Sequence, residues 1–290
     1  MTRKNIDMTE EPAPYGGATK PPTARRRTRV HHLLAMKERG EKWAMLTAYD
    51  QYTAAIFDDA GIPALLVGDS ASNNVFGNET SLAVTVDQLI PLVRAVTRSA
   101  RRALVVADLP FGSYQGSPEQ AFHTAVRFMK EADAHAVKLE GGLPMVPHVK
   151  LLADAGIPVM AHIGFTTQAE HRLGGYRVQG RGDAAKALLE AAQGLADAGA
   201  FAVVMEMVPS DVAAQVTSKV TIPTIGIGAG AGTDAQVLVW QDMAGLRTGK
   251  LPRFVKQYAD LHGELLRAAQ AFAGDVSSGT FPGPEHGFES

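Results

Sequence analysis

A (β/α)8 TIM barrel, an α/β fold in which a parallel sheet closes on itself, is what this sequence predicts. Three observations carry the prediction. Apolar runs of strand length recur eight times along the 290 residues, and stretches of helical periodicity separate them. The runs are also apolar almost throughout instead of alternating, as strands covered on both faces are. A chain of this length with 46% hydrophobic residues suits one such domain. An open doubly wound sheet shares the periodicity, and the count of eight favours closure.

In order the runs are WAMLTA (43–48), PALLVGD (63–69), ALVVAD (103–108), HAVKLE (135–140), IPVMAHI (157–163), FAVVMEM (201–207), IPTIGIG (222–228) and QVLVW (236–240). Of the helices between them, SPEQAFHTAVRFMKEADA offers Ser117 as N-cap and Pro118 in the first turn, with Glu119 and Gln120 following. DAAKALLEAAQGLADAGA begins at Asp183, turns Leu188, Leu189 and Leu195 toward the core and stops at Gly199. LHGELLRAAQAFAGDVSSG reads as a final helix, suited to cap the barrel or to pack on a neighbouring subunit. Residues 29–290 are expected to form one barrel domain with this C-terminal helical extension. Residues 1–28, where Pro, Gly and Thr surround Arg25, Arg26 and Arg27, are expected to be a disordered tail.

Composition limits the partners. Lys and Arg number 28 against 30 Asp and Glu, a net charge of −2, with no large block of either sign. Nucleic acid and membrane surfaces are therefore poor partners, and a small molecule is the expected ligand. The absence of cysteine removes disulfides, thiolate metal sites and cysteine nucleophiles together, and fits a reducing compartment. The N-terminal segment lacks the apolar core of a signal peptide, and no segment offers 18 uninterrupted apolar residues, so a cytoplasmic location is expected.

In a barrel of this kind the site is built at the C-terminal ends of the strands. There LLVGDS delivers Asp69 and Ser70, VVADLP delivers Asp108, and AVKLEGG delivers Lys138 and Glu140. VMAHIG adds His162, VVMEMVP adds Glu206, and AMLTAYD adds Thr47, Tyr49 and Asp50. Period-two geometry sends Lys138 and Glu140 to one face of their strand and Leu139 to the other. Singly each charge has a structural explanation, but desolvation makes so regular a set at the ends of apolar runs costly without a ligand.

Asp69, Asp108 and Glu140 are hard oxygen donors, suited to Mg²⁺ more than to zinc. A divalent ion with a lysine and a further carboxylate points to chemistry at a carbon beside a carbonyl. The metal polarises the ketone of a 2-oxo acid while a base removes the neighbouring proton. Lys138 then anchors negative charge or, in the alternative, forms a Schiff base. Spacing does not choose between Glu206 and His162 as the base. GIGAGAG (226–232) is either a phosphate-cradling turn or a plain tight one, since it lacks the P-loop lysine.

TAYD, LLVGDS, VTVDQLI, ADLPFGSY, AVKLEGG, AHIGFTTQ, GGYRVQGRGD, MEMVP, IPTIGIGAG, LVWQDM and FPGPEHGF follow one another in collinear order. Over about residues 29–288 the chain resembles the ketopantoate hydroxymethyltransferase family (3-methyl-2-oxobutanoate hydroxymethyltransferases). The resemblance implies a barrel of the phosphoenolpyruvate/pyruvate type, assembled as a homodecamer of two pentamers. It implies transfer of a hydroxymethyl group from 5,10-methylenetetrahydrofolate to 3-methyl-2-oxobutanoate, with Mg²⁺, giving 2-dehydropantoate on the way to pantothenate.

Matched residue by residue, Asp69 and Asp108 bind the metal and Glu140 reaches it through water. Asp69, Ser70, Asp108 and Lys138 hold the oxo acid, and Glu206 accepts the proton. The chain departs from the family at Thr167 and Ala83, where proline is usual, and in the charged loop AEHRLGG (169–175). These departures bear on loop stiffness or folate affinity. A Mg²⁺-dependent lyase on the same barrel is the alternative enzyme, weakened by the missing cysteine. A non-catalytic scaffold would have lost the strand-end carboxylates.

Overall fold

The computed structural model describes residues 26–287. The elements run α1 (Val30–Glu38), β1 (Trp43–Thr47), α2 (Gln51–Asp59), β2 (Ala64–Val67), α3 (Ala71–Asn74), α4 (Val86–Ser99) and β3 (Leu104–Asp108). They continue as α5 (Pro118–Glu131), β4 (Ala136–Glu140), α6 (Val146–Asp154), β5 (Val159–Gly164), α7 (Glu170–Leu173), α8 (Ala184–Asp197) and β6 (Ala202–Glu206). The last are α9 (Ser210–Lys219), β7 (Thr224–Ile227), β8 (Ala235–Leu238), α10 (Trp240–Met243) and α11 (Leu261–Ser278). The eight strands pair in sequence order, all parallel, and β8 returns to β1 to close the barrel. Closure rules out the open sheet.

The caps follow sequence chemistry. Ser117 Oγ accepts from Gln120 N at 3.2 Å and starts α5, with Pro118 in its first turn. Asp50, one of the strand-end residues, accepts from the backbone of Tyr52 and Thr53 and caps α2. In α8 Leu195 is buried and Leu188 and Leu189 pack partly against the core, while Asp183 makes no side-chain cap.

Two apolar runs outlast their strands by two residues. QVLVW reads on to residue 240, but the ladder with β1 ends at Leu46 and Leu238, and Trp240 opens α10 with its N–H donating to Thr47 Oγ1 at 3.0 Å. PALLVGD stops pairing at Val67. A Cβ on Gly68 would stand 2.8 Å from Ser70 Oγ, so the chain needs glycine to turn into α3 with Ser70 and Asp69 held close.

Alternation sorts the strand residues into two cores. Leu46, Leu65, Val67, Val105, Val137, Leu139, Ala161, Val203 and Met205 pack outward under the helices. Trp43, Met45, Ala64, Leu66, Leu104, Val106, Ala136, Met160, Ala202, Val204, Ile225, Ala235 and Val237 fill the barrel interior. Leu33 of α1 is buried against this inner cluster and plugs its N-terminal end. Residues 1–25 of the expected tail lie outside the described residues. Just after them, the Arg27 guanidinium donates to the carbonyls of Ala100 and Ala103, each at 3.1 Å.

The last helix is unlike the others. Across its 18 residues α11 buries no side chain, and Leu265, Leu266, Phe272 and Val276 are all about half exposed or more. Among the described residues no helix is long and apolar enough to cross a membrane.

Candidate active site

On β3, β4, β5 and β6 the inward-facing series ends in polar residues at the C-terminal mouth. Two residues beyond Val106 stands Asp108, beyond Ala136 come Lys138 and Glu140, beyond Met160 stands His162, and beyond Val204 stands Glu206. The parallel register sets Asp108 beside Lys138 and Glu140 beside His162. All but Glu206 are 5% exposed or less, as is Asp69 on the turn after β2. Together with Ser70 they line a cavity of about 760 Å³.

Charge in this mouth is closely paired. The Lys138 ammonium lies 2.7 Å from Asp108 Oδ1, in ion-pair contact but off the hydrogen-bonding direction, which leaves that buried oxygen without an aligned donor. It lies 3.5 Å from Glu140 Oε1. His162 stands between two carboxylates, with Nδ1 3.1 Å from Glu140 Oε1 and Nε2 3.4 Å from Glu206 Oε2, the latter contact again off-line. The backbone N–H of Asp69 donates to Asp108 Oδ2 at 3.1 Å, and Ser70 Oγ is 2.7 Å from the Tyr49 hydroxyl.

Burial and crowding displace these groups from their ordinary ionisation. Burial, then the charges of Asp108 and Glu140, push the Asp69 carboxyl up to about 8. Burial also raises Asp108, against the pull of Lys138. For Glu140 burial works upward too, but Lys138 and His162 outweigh it and hold the carboxyl down at about 2. Burial and Lys138 press His162 downward, and Glu140 and Glu206 reverse this to about 9. An imidazolium so held donates Nδ1–H to Glu140 and keeps Nε2 beside the Glu206 carboxylate in ion-pair contact.

Every strand-end residue except Asp50 reaches or borders the cavity. Thr47 lines it, Tyr49 orients Ser70, and Asp50 serves α2 instead. His162, open to the reading of an ordinary core histidine, bridges Glu140 and Glu206. Among the described residues no three histidine or carboxylate side chains already converge as ligands of one ion.

The glycines of GIGAGAG serve packing. A Cβ on Gly230 (φ +76°) would meet Ser210 Cβ at 2.5 Å, and one on Gly228 (φ +64°) would meet Phe254 at 2.8 Å, so the turn after β7 lies tight against its neighbours.

The charge pattern missed Tyr114, Thr167 and Gln168. Tyr114 is buried, accepts from the backbone N–H of Glu140 at 3.0 Å and stands 2.7 Å from Gln168 Oε1. Thr167, a departure expected to touch only the loop, donates to Glu140 Oε1 at 3.3 Å and so reaches the site. Their signal lay in the quoted motifs ADLPFGSY and AHIGFTTQ, not in charge.

The backbone at the mouth is specialised as well. A Cβ on Gly164 (φ +92°) would stand 2.3 Å from the Glu206 carbonyl oxygen, which accepts from Phe165 N at 2.8 Å. Met207, directly after Glu206, holds φ +49° without being glycine, the kind of backbone strain that gathers at functional sites.

Among solved structures the chain is similar to phosphonopyruvate hydrolase in complex with oxalate and Mg²⁺, with a TM-score of 0.58 at 12% identity over 91% of this chain and 92% of that one. It is likewise similar to 2,3-dimethylmalate lyase of the PEP mutase/isocitrate lyase superfamily, with a TM-score of 0.54 at 16% identity over 90% and 92%. At such identity these matches speak for the barrel. Sequence relatives speak for more. The 3-methyl-2-oxobutanoate hydroxymethyltransferase of Nocardioides sp. is 69% identical over 99% of this chain and 100% of its own, and that of Rhodococcus jostii 60% identical over 98% and 99%. With the model of ketopantoate hydroxymethyltransferase matching residues 27–284 in addition, the chain belongs to the ketopantoate hydroxymethyltransferase family.

Proposed function

We propose that the chain transfers a hydroxymethyl group from 5,10-methylenetetrahydrofolate to 3-methyl-2-oxobutanoate, giving 2-dehydropantoate and tetrahydrofolate in pantothenate synthesis. The observation that carries the reading is the separation of one carboxylate, Glu206, from a cluster of three, with His162 between them. A cluster that holds an oxo acid and a base set apart from it are what removal of a proton beside a carbonyl requires.

Asp69 and Asp108 are the residues that would hold Mg²⁺, with Glu140 acting through water. They fit a dication: both are hard oxygen donors buried at the mouth, 5% and 1% exposed, and burial raises both carboxyls. Mg²⁺ held there would supply Lewis-acid charge beside the ketone oxygen. Lys138 and Ser70 bind and orient the oxo acid, Ser70 with its hydroxyl set by Tyr49. Glu206 takes the C3 proton, steered by the imidazolium of His162. Water takes the one-carbon unit from the folate at the formaldehyde level, breaking its bonds to both folate nitrogens and releasing tetrahydrofolate. The C3 carbanion equivalent then forms its bond to that carbon, and the oxygen takes a proton to become the hydroxyl.

The test has two parts. Product is expected from both substrates with Mg²⁺ and not from metal-free enzyme. Glu206→Gln is expected to lose exchange of the C3 proton with solvent by about 10²- to 10⁴-fold. Exchange at the parent rate in that variant would reassign the base to another group.

The family's assembly, a decamer of two pentamers, is also proposed for this chain, working in the cytoplasm. What supports assembly is α11, whose Leu265, Leu266, Phe272 and Val276 are half exposed and are left unburied by the described residues of the chain. Light scattering is expected to give the mass of ten chains, and a monomer mass would end this part of the reading.

A further inference from the structure

We infer that Gln168 is a positioning residue that fixes Asp69 and Glu140 relative to each other across the cavity mouth. It lies in the turn after β5, only 7% exposed. Its amide Nε2 donates to Asp69 Oδ2 and to the Leu109 carbonyl, both at 3.0 Å. Its Oε1 accepts from the Tyr114 hydroxyl at 2.7 Å and from Gln115 Nε2 at 2.9 Å. Its backbone N–H donates to Glu140 Oε2 at 3.0 Å. One neutral side chain thereby ties together residues that follow β2, β3 and β5, and its main chain grips the end of β4.

The orientation of the amide is determined by its partners. The Leu109 carbonyl only accepts, so Nε2 faces it and Oε1 is left for Tyr114 and Gln115. Both amide N–H groups are then used, and Oε1 faces two donors, of which the Tyr114 hydroxyl lies closer to it, at 2.7 Å, than to the Glu140 carbonyl, at 3.1 Å. The consequence falls on the carboxylates. Asp69 has Oδ2 committed to Gln168, and Glu140 has Oε2 committed to the Gln168 backbone and Oε1 to His162 and Thr167. The Glu140 carboxylate is therefore held at both oxygens, and that of Asp69 is anchored at Oδ2, before any ligand arrives. Glutamate at 168 could not substitute, because it removes both donors and adds a charge beside Asp69.

This inference rests on the reading of Asp69 as a metal ligand, and the experiment separates the two. Bound and free Mn²⁺ are measured by electron paramagnetic resonance on the folded, full-length enzyme and on Gln168→Ala, Gln168→Glu, Tyr114→Phe and Asp69→Asn. Gln168→Ala is expected to bind Mn²⁺ about ten- to a hundredfold more weakly, and to need a similarly higher Mg²⁺ concentration for half-maximal C3 proton exchange. Gln168→Glu is expected to be weaker still, and Tyr114→Phe, which frees one end of the amide, to lie between Gln168→Ala and the parent.

A residue that only supported the fold would lower the unfolding midpoint and leave Mn²⁺ affinity alone. Affinity within about twofold of the parent in both Gln168 variants overturns the inference. Should neither fold, parent-like affinity in Tyr114→Phe does the same. If Asp69→Asn binds Mn²⁺ as the parent does, the ligand reading itself fails; if it loses binding while Gln168→Ala keeps it, only the positioning role fails.

Discussion

The two ends of the barrel interior are built by the same strands and the same alternation, and they hold opposite chemistry. Toward the N-terminal end Trp43, Met45, Ala64, Leu104, Ala136 and Ala235 pack on one another under Leu33, a filling of hydrophobic side chains with the Trp43 indole Nε1 as its one buried polar side-chain atom. Toward the C-terminal end the next inward positions are Asp108, Lys138, Glu140, His162 and Glu206. Burial favours the first set and penalises the second, where each charge tolerates desolvation only through its neighbours. Stability and chemistry are thus divided along the barrel axis, within single strands. In β4 the change comes between Ala136 and Lys138, one inward position apart.

The largest effects that sharpen this division belong to the charged end. Lys138→Ala and Glu140→Ala each leave buried charge unpaired, a loss of about 3–5 kcal/mol in stability. Their functional defects should differ. Lys138→Ala is expected to raise KM for the oxo acid about ten- to a hundredfold, the worth of a charge-assisted hydrogen bond. Glu140→Ala is expected to raise the Mg²⁺ requirement by a similar factor, as loss of an outer partner of a metal site does. Saturation curves for both ligands, run on protein whose folding is checked by circular dichroism, decide the matter. The closeness of Lys138 to Asp108, 2.7 Å against 3.5 Å to Glu140, makes the test sharp. Matching defects in the two variants would mean that the cluster acts as one unit.

Much of this division was legible in the residues. HAVKLE shows it within six letters, since an apolar run that ends in a lysine and a glutamate two positions apart must turn both to one side. The same rule found Asp108, His162 and Glu206, and the count of eight apolar runs predicted the barrel. Gln168 escaped because a neutral amide carries no charge to mark it, and its partners Asp69, Leu109, Tyr114 and Gln115 lie 53 or more residues away in sequence. Asp50 misled for the converse reason, being a strand-end carboxylate whose work is to cap α2. For the helix at Leu261–Ser278, periodicity announces an apolar stripe but never what it packs against.

The apolar end supplies the last and smaller test. Met45 is 1% exposed in the inner cluster, on a strand whose C-terminal neighbour in the same inward series, Thr47, lines the cavity. Met45→Ala removes a buried side chain with no polar partner, so its cost is the lost transfer energy and the cavity left behind, about 2–5 kcal/mol. Urea unfolding is expected to show a lower midpoint with an unchanged slope. Turnover per folded molecule should stay close to the parent, because nothing at the charged end touches Met45 through a polar contact. A fall in turnover beyond about tenfold with little loss of stability would mean that the lower layers do more than support the upper ones. Such a result would place part of the catalytic geometry in the packing of β1, through Thr47 and the Trp240 N–H it accepts.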